Sequence, residues 1–206
     1  MTASCTLAGR RRRFPAAFTL VEALVAISIT AIGGTALLLG ISSSLQTTEY
    51  AIEQTIATGM ARQLLDEVVG TRYCADGIGD PYQTYFGPSS YEAGGTGRER
   101  YDDIDDYHGF RSKPPVDMWG VELGTDDGEG SQRHPNFQAP PHFLDNWQQE
   151  IDVYYVDESD LTTPLPSGQV SDYRVVEVRI VLVDPDRGRR ELASARQVVA
   201  YVPSTQ

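Results

Sequence analysis

One uninterrupted apolar segment near the N-terminus constrains what this chain can fold into more than any other feature. Residues 18–41 read FTLVEALVAISITAIGGTALLLGI, which is 24 residues with a single charged side chain, Glu22. At about 1.5 Å per residue, a helix of this length reaches roughly 36 Å, enough to cross a bilayer core of about 30 Å. The segment therefore predicts a helix that lies in a membrane or in an equally apolar protein environment.

A short basic segment precedes this helix, and an acidic chain follows it. Residues 1–17 hold four consecutive arginines, Arg10 to Arg13, and no acidic residue, so they carry +4. The whole chain of 206 residues has a formal net charge of −12, and the remainder therefore carries −16. Arginines directly before an apolar span favour a cytoplasmic N-terminus. The length suits one domain with little room for a second, and the acidity argues against a protein that binds a nucleic-acid backbone.

Three interpretations of the apolar segment compete. A secretory signal peptide usually has an apolar stretch of about 7–15 residues, which is shorter than this one. A plain signal anchor explains the length and the arginines, but it gives Glu22 no role beyond a tolerated position near the membrane interface. A carboxylate within an apolar span is costly and by default marks a functional site. The third interpretation therefore starts from Glu22.

The residues around Glu22 form a recognisable motif. Residues 17–22 read AFTLVE, directly after the basic segment and at the start of the apolar one. This arrangement resembles the type IV pilin-like family, whose members carry a Gly-Phe-Thr-Leu-x-Glu box. The resemblance implies that a prepilin peptidase cuts between Ala17 and Phe18 and that the new amine of Phe18 is N-methylated. It also implies that Glu22 pairs with the amine of a neighbouring subunit and sets axial register.

One position departs from the family's pattern. The family usually has glycine before the cut, and this chain has Ala17, so we expect cleavage that is slower than with glycine. Residues 1–17 are then the leader that is removed, and residues 18–41 stay on the mature protein as the membrane or filament-core half of a helix.

The helical pattern continues through residues 42–70. Apolar side chains recur there at the spacing of one helix face, which predicts an amphipathic half that packs under a globular head. Gly70 is a plausible C-cap. The predicted face consists of Leu45, Ile52, Ile56, Met60, Leu64, Leu65 and Val68.

Residues 71–148 are rich in glycine, proline and interleaved aromatic residues, which predicts an ordered, loop-rich region. A second acidic stretch, residues 126–130, indicates a surface loop. The region also holds the run YDDIDDYHGF at residues 101–110. That run resembles an Asp-Asp-x-Asp-Asp-Tyr-x-Gly stretch seen in minor pilins of the mannose-sensitive haemagglutinin type.

The same run carries the candidate metal ligands. Four carboxylates in five residues repel one another unless they are solvated, hydrogen-bonded or bound to a cation, and such an oxygen cluster suits Ca²⁺. The spacing is not that of an EF-hand. The alternative is a solvated turn in which an aspartate caps a short helix. The candidate calcium ligands are Asp102, Asp103, Asp105 and Asp106.

Residues 149–206 show the alternation of β-strands. Strands are predicted at residues 150–157, 173–184 and 190–202, joined as an antiparallel meander. We therefore predict an α+β pilin fold, in which a long N-terminal helix packs on a small antiparallel sheet and residues 71–148 form a large insertion. The predicted inward residues of the last strand are Leu192, Val198, Ala200 and Val202.

No catalytic motif is visible, so we do not expect an enzyme or a required cofactor. Two cysteines, Cys5 and Cys74, exclude a disulfide scaffold and a multi-cysteine zinc site. A third alternative, an anchored hydrolase that uses the acidic cluster, has little support, because no nucleophile–base pairing is apparent.

The resemblance implies a minor pilin or pseudopilin of a type IV pilus or type II secretion system. Its partners would be other pilin-like subunits, the prepilin peptidase and N-methyltransferase, the inner-membrane assembly platform and the membrane itself. It would sit in the bacterial inner membrane as a single-pass protein with a periplasmic head, before entering the filament. The alternative is a signal-anchored periplasmic binding or sensor domain that never assembles.

Overall fold

The computed structural model describes residues 19–75, 80–124, 129–130, 133–186 and 188–203. It contains one long helix, two short 3₁₀ helices and four strands. The chain divides into two compact units, Met1–Glu49 and Tyr50–Gln206. The elements are α1 (Leu20–Val69), the 3₁₀ helices Glu92–Gly94 and Pro135–Phe137, β1 (Arg111–Ser112), β2 (Trp147–Tyr155), β3 (Tyr173–Asp184) and β4 (Gly188–Ala200).

The described part of the first unit is the apolar start of α1. Every described residue before Tyr50 is exposed. The hydroxyl groups of Ser28, Thr30 and Thr35 donate to the carbonyl oxygens four residues earlier, each at 2.8 Å. These polar groups are therefore satisfied within the helix, as an apolar environment requires. The helix is long and apolar enough to cross a membrane.

The second unit is a four-stranded antiparallel sheet with the last turns of α1 packed on one face, which confirms the predicted α+β fold. The strand order is β1-β2-β3-β4. Direct cross-strand pairs such as Val153 with Val176 and Ile151 with Val178 present their side chains to the same face. One core cluster joins α1 to this face. Its helix and central-strand members include Ala57, Ala61, Leu64, Val68, Ile151, Val153, Val176, Val178 and Ile180.

The helix face that packs on the sheet is partly different from the predicted one. Leu64 and Val68 are buried as expected, but Ile52 is 50% exposed and Ile56 is 37% exposed. Two alanines, Ala57 and Ala61, are buried at 0% and 1% exposure instead. A methyl side chain lets a helix backbone approach its neighbour closely, whereas apolar periodicity is weighted toward large residues. The prediction therefore overlooked the alanines.

Strand β4 also differs from the prediction in the residues that face the core. Leu192 is buried, but Val202 is 80% exposed, and Ala200 is exposed as well. A β-bulge at Leu192 interrupts the pairing with β3. One extra residue shifts the alternation by one position, so every later side chain changes face. The residues that contact the core beyond Leu192 are Ala193, Ala195 and Val199.

The sequence did not indicate β1, which is only two residues long and lies inside the loop-rich region. Arg111 pairs with Glu150 of β2, and Ser112 pairs with Gln149. This short edge strand anchors the irregular segment that precedes it to the sheet, and that segment carries the acidic run.

Candidate functional site

The N-terminal motif is visible in the structure from Thr19 onward. Helix α1 begins at Leu20, and the main-chain carbonyl of Thr19 accepts the N–H of Ala23 at 3.1 Å. The hydroxyl oxygen of Thr19 accepts the N–H of Glu22 at 3.3 Å. Thr19 is therefore the N-cap of α1, and Glu22 lies at the third helical position, the spacing of a capping box. The sequence analysis missed this cap, although Thr-x-x-Glu is a known signal.

Glu22 is exposed and lies in the first turn of α1, where a carboxylate interacts favourably with the helix dipole. The large apolar residues that follow it are exposed by half or more, for example Ile27 at 70% and Leu37 at 71%. The predicted cleavage and methylation residues, Ala17 and Phe18, lie outside the described residues. Their processing stays a prediction.

The acidic run lies beside the end of α1 and is largely buried. The main chain of Arg72, just beyond the helix, forms a parallel bridge with Asp103. Asp103, Asp105 and Asp106 are 5%, 4% and 4% exposed, whereas half of the Asp102 side chain is exposed. The alternative of a solvated turn is therefore wrong for the three buried carboxylates. Residues 126–128 of the second acidic stretch lie outside the described residues.

The buried carboxylates cap the turn that carries them. One oxygen of Asp103 accepts the N–H groups of Asp105 at 3.0 Å and Asp106 at 3.3 Å. One oxygen of Asp106 accepts the N–H groups of Asp102 at 2.9 Å and Asp103 at 3.4 Å. The two side chains thus cross-brace the turn through four N–H groups, which compensates part of the cost of burying charge.

Asp105 connects the turn to the sheet. One of its oxygens accepts a hydrogen bond from Arg174 of β3 at 3.2 Å, and the other accepts one from Gln83. Arg174 is fully buried. Its guanidinium carbon lies 4.3 to 5.2 Å from the centroids of the three aromatic rings around it, which belong to Tyr73, Phe86 and Tyr155. Nothing in the sequence pairs Asp105 with an arginine 69 positions away, so the sequence analysis missed Arg174.

Burial changes the acidity of the cluster. It raises the pKa of Asp103 to about 7, and a hydrogen bond with the Asp105 carboxyl acts in the same direction. It raises the pKa of Asp106 to about 6, against the lowering effect of the Asp102 N–H. Burial also raises the pKa of Asp105, opposed by Asp103 and Arg174. A raised pKa means that a carboxyl group keeps its proton to a higher pH than an exposed aspartate does, which reduces the negative charge that the turn must accommodate.

Calcium binding at this cluster stays a prediction. Oxygen atoms of Asp103, Asp105 and Asp106 lie within 4.8 Å of one another, and so do oxygen atoms of Glu92, Asp102 and Asp106. Oxygen is the ligand atom that Ca²⁺ prefers. The Arg174 guanidinium beside Asp105 opposes a second cation, however, and the turn already satisfies much of the cluster with N–H groups.

Two cavities border the described part of the head. One cavity of about 290 Å³ lies between α1 and the loop that contains Trp119. Its charged lining residues are Asp117 and a pair formed by Arg98 and Glu67, in which Arg98 Nε lies 2.8 Å from a Glu67 oxygen. Another cavity, of about 420 Å³, is bordered by His108, whose Nδ1 accepts the Val153 N–H at 3.1 Å. The Arg98–Glu67 pair and the Nδ1 atom of His108 therefore make structural contacts.

Comparison with known families decides the assignment of the N-terminal segment. Residues 12–38 match the family described as the prokaryotic N-terminal methylation motif. The chain carries a type IV pilin-like N-terminus. The match spans the predicted cut, Thr19 and Glu22, and it ends within the apolar half of α1, so the head of this pilin-like chain lies outside it. Searches of curated proteins and of solved structures found no match for the chain.

Proposed function

We propose that this chain is a minor pilin or pseudopilin, a non-enzymatic subunit that a type IV pilus or a type II secretion system assembles through α1. One observation carries the proposal: the methylation motif at residues 12–38 opens a helix whose apolar half is exposed throughout its described length. An exposed apolar surface of this extent needs lipid or protein around it. A membrane first surrounds this surface with lipid, and a filament core then surrounds it with protein.

Processing prepares the subunit for assembly. Water adds across the amide between Ala17 and Phe18, the C–N bond breaks, and the products are the leader carboxylate and the amine of Phe18. The N-methyltransferase then transfers a methyl group from a sulfonium methyl donor to that amine with loss of one proton, so the amine can keep its positive charge. Residues 1–17 depart with their four arginines, which leaves an acidic mature chain with Glu22 as the one charged side chain in its apolar half.

Assembly then uses Glu22 to select register. The amine of Phe18 on one subunit and the Glu22 carboxylate on its neighbour form an ion pair in apolar surroundings. Such a pair specifies alignment more reliably than it adds stability, because an unpaired charge left in that environment is strongly unfavourable. Subunits therefore pack in the axial position at which each amine meets a carboxylate.

The head supports a minor role rather than that of a bulk, repeating subunit. Between α1 and β2 the chain is largely irregular, with a two-residue strand and two 3₁₀ helices as its regular elements in the described residues. A large irregular insertion of this kind suits a subunit that decorates the tip or side of a filament. The acidic run at residues 101–110 favours the mannose-sensitive haemagglutinin type among such minor subunits.

Mass spectrometry of the mature N-terminus tests the proposal. The chain is expressed with the prepilin peptidase of its own host, purified from membranes and digested, and the N-terminal peptide is sequenced. We expect N-methyl-phenylalanine at position 18. A mature chain that still begins at Met1 would show that the apolar helix is a plain anchor of a periplasmic domain.

A further inference from the structure

We infer that the cavity of about 420 Å³ beside His108 is a binding site for an uncharged, proline-rich peptide segment. The cavity lies between residues 84–86, the His108 imidazole, strand β2 and the loop at residues 165–169. Its volume is in the range of pockets that bind small ligands. All of these residues belong to the unit Tyr50–Gln206, so the inference goes beyond the proposed function and depends on neither cleavage nor assembly.

His108 supplies the site with a hydrogen-bond donor whose proton position follows from the structure. Its Nδ1 atom accepts the main-chain N–H of Val153 at 3.1 Å. An acceptor nitrogen carries no proton, so the imidazole is neutral and its proton is on Nε2. The ring is half-buried at the border of the cavity. Among the described residues no group accepts a hydrogen bond from Nε2, which leaves this donor for a ligand.

Aromatic rings form the apolar wall of the site. The Phe86 ring lies 5.7 Å from the His108 ring and 5.2 Å from the Tyr155 ring, measured between centroids. The buried Arg174 guanidinium lies 4.9 Å from the Phe86 centroid and 5.2 Å from that of Tyr155, so both rings are supported from inside the head. Tyr85, the next residue along the same wall, is 90% exposed. A fixed pair of rings thus lies beside a large ring that can pack on a ligand.

The lining favours an uncharged ligand that accepts hydrogen bonds. None of the described residues that border the cavity has a carboxylate, ammonium or guanidinium group, although the chain as a whole is acidic. The neutral His108 and the amide group of Gln169 offer N–H donors there. A ligand with many N–H or O–H donors would bury some of them without a carboxylate to accept them, which is unfavourable. A ligand with carbonyl acceptors and few donors therefore suits the cavity.

A proline-rich segment has this chemistry. Each proline offers a carbonyl oxygen and has no main-chain N–H that needs an acceptor. Its ring is apolar and can pack on an aromatic side chain, and aromatic-lined grooves bind such segments in the polyproline II conformation. That conformation is already populated in the free peptide, so little conformational entropy is lost on binding. The His108 Nε2–H would donate to one carbonyl, and Tyr85 would cover the adjacent proline ring.

The test titrates acetyl-hexaproline-amide into the full-length chain in detergent, up to millimolar concentration. The imidazole nitrogen chemical shifts of His108 report the proton position in the free chain and its change on binding. A glycine–serine hexapeptide and a methyl hexopyranoside are the comparison ligands. They keep, respectively, the peptide backbone without proline rings and an uncharged ring with many hydroxyl donors.

Four variants separate the contributions of the site. Tyr85→Ala removes the exposed ring, and Tyr85→Phe keeps it. His108→Asn keeps an oxygen where Nδ1 accepts the Val153 N–H and removes the Nε2 donor. Tyr91→Ala is the matched control, because Tyr91 is another exposed tyrosine, at 74%, and does not border the cavity. The melting temperature of each variant shows whether its head is folded.

We expect the free chain to show the Nε2–H form of His108 and hexaproline to bind saturably. Tyr85→Ala should weaken binding about tenfold, through the loss of one aromatic packing partner. His108→Asn should also weaken it about tenfold, the effect of one neutral hydrogen bond. Tyr85→Phe and Tyr91→Ala should bind hexaproline as the original chain does, and the two comparison ligands should not bind.

Absence of saturable hexaproline binding would overturn the inference. Equal binding of the glycine–serine peptide, or binding of the hexopyranoside in its place, would assign the cavity to another class of ligand and also overturn it. So would an equal loss in Tyr91→Ala and Tyr85→Ala, or a free chain with the proton on Nδ1. A chain that keeps Met1 as its mature N-terminus but binds hexaproline would contradict the proposed function and leave this inference intact.

Discussion

At the scale of single residues, the head is organised around carboxyl groups that are buried without full charge compensation. Asp103, Asp105 and Asp106 share one turn, and Arg174 is the buried guanidinium that contacts Asp105. Main-chain N–H groups donate to Asp103 and Asp106 and compensate part of the remaining charge. A buried acid that holds its proton near neutral pH ties the stability of the fold to pH.

We predict that the head loses stability as pH rises from about 5 to 8. The pKa of Asp103 is raised to about 7 and that of Asp106 to about 6, both above the values of an unfolded chain. The folded state therefore binds more protons in this window, and the free energy of unfolding falls by up to about 1.4 kcal/mol per pH unit for each proton. Acids whose pKa values are lowered, such as Asp160 at about 2, make the free energy of unfolding depend on pH only below this window.

Asp103→Asn is the variant that checks this prediction. Asparagine resembles the protonated acid, and its oxygen still accepts the N–H groups of Asp105 and Asp106. The variant should match the original chain at pH 5 and exceed it at pH 8 in calorimetric melting temperature. Asp102→Asn, at a half-exposed side chain, is the matched control and should keep the original slope. If the melting temperature of Asp103→Asn falls with rising pH as steeply as that of the original chain, the assignment of the pH dependence to Asp103 is wrong.

The same melting experiment with added Ca²⁺ at pH 8 tests the metal prediction. If the cluster binds the ion, the melting temperature of the original chain should rise and that of Asp103→Asn should not, because a ligand that binds only the folded state stabilises it. No shift together with no heat in titration calorimetry would dismiss calcium binding and leave protons and N–H groups as the means of compensation.

At the scale of elements, the face of the sheet opposite α1 is held by ion pairs. Glu150 is 1% exposed and lies near three guanidinium groups. Its carboxylate is 2.5 Å from Arg189, 3.5 Å from Arg179 and 3.9 Å from Arg111. Asp152 on the same strand pairs with Arg111 at 2.7 Å. This network links β1, β2, β3 and β4 across their polar face.

We predict that Glu150→Gln lowers the free energy of unfolding by about 2 kcal/mol. Breaking a fully buried pair costs about 3–5 kcal/mol, and the partial exposure of the arginines reduces that figure. Glu177→Gln is the control, since Glu177 is 27% exposed and its main ionic partner is Arg179. It should cost less than about 0.5 kcal/mol in the same denaturant titration. If the two variants lose the same free energy of unfolding, burial of Glu150 does not increase its contribution to stability.

The elements also show what the sequence could predict. Helix α1 and strands β2 to β4 follow from local periodicity, because each repeats its pattern over nine residues or more. Strand β1 has two residues and no period to detect. The bulge at Leu192 depends on pairing with β3, and the contact of Arg174 with Asp105 joins segments that are far apart in sequence. These features are tertiary, so no local pattern indicates them.

At the scale of the whole molecule, the two units have different sources of stability. The head has its own core, in which the last turns of α1 meet the sheet. The first unit has no core in its described residues and consists of an exposed apolar helix. The head is therefore expected to fold whether or not the chain assembles, while the first unit depends on its surroundings. A variant in the first unit can then affect assembly without affecting folding.

Glu22→Ala is the variant that separates these effects. We expect the Glu22→Ala chain to insert in the membrane and its head to melt at the original temperature. The amount recovered in sheared filaments or pseudopili should be a tenth or less of the amount recovered for the original chain. The reason is that the amine of its neighbour has no carboxylate to meet. Glu49→Ala, at an exposed position of the same unit, should assemble normally. Full incorporation of Glu22→Ala would favour a plain membrane anchor.

The bulge at Leu192 bears on how such heads tolerate crowding. Strand β4 is at one end of the sheet order, so its outer edge has no partner strand among the described residues. In the assembly that we propose, subunits gathered by their helices would hold many such edges at high local concentration, where exposed edges can join sheet to sheet and aggregate. A bulge breaks the regular ladder, and the charged side chains of Arg189, Arg190 and Arg196 flank it. Both features discourage edge-to-edge pairing, so the irregularity that misled the sequence prediction also helps to keep densely gathered heads separate.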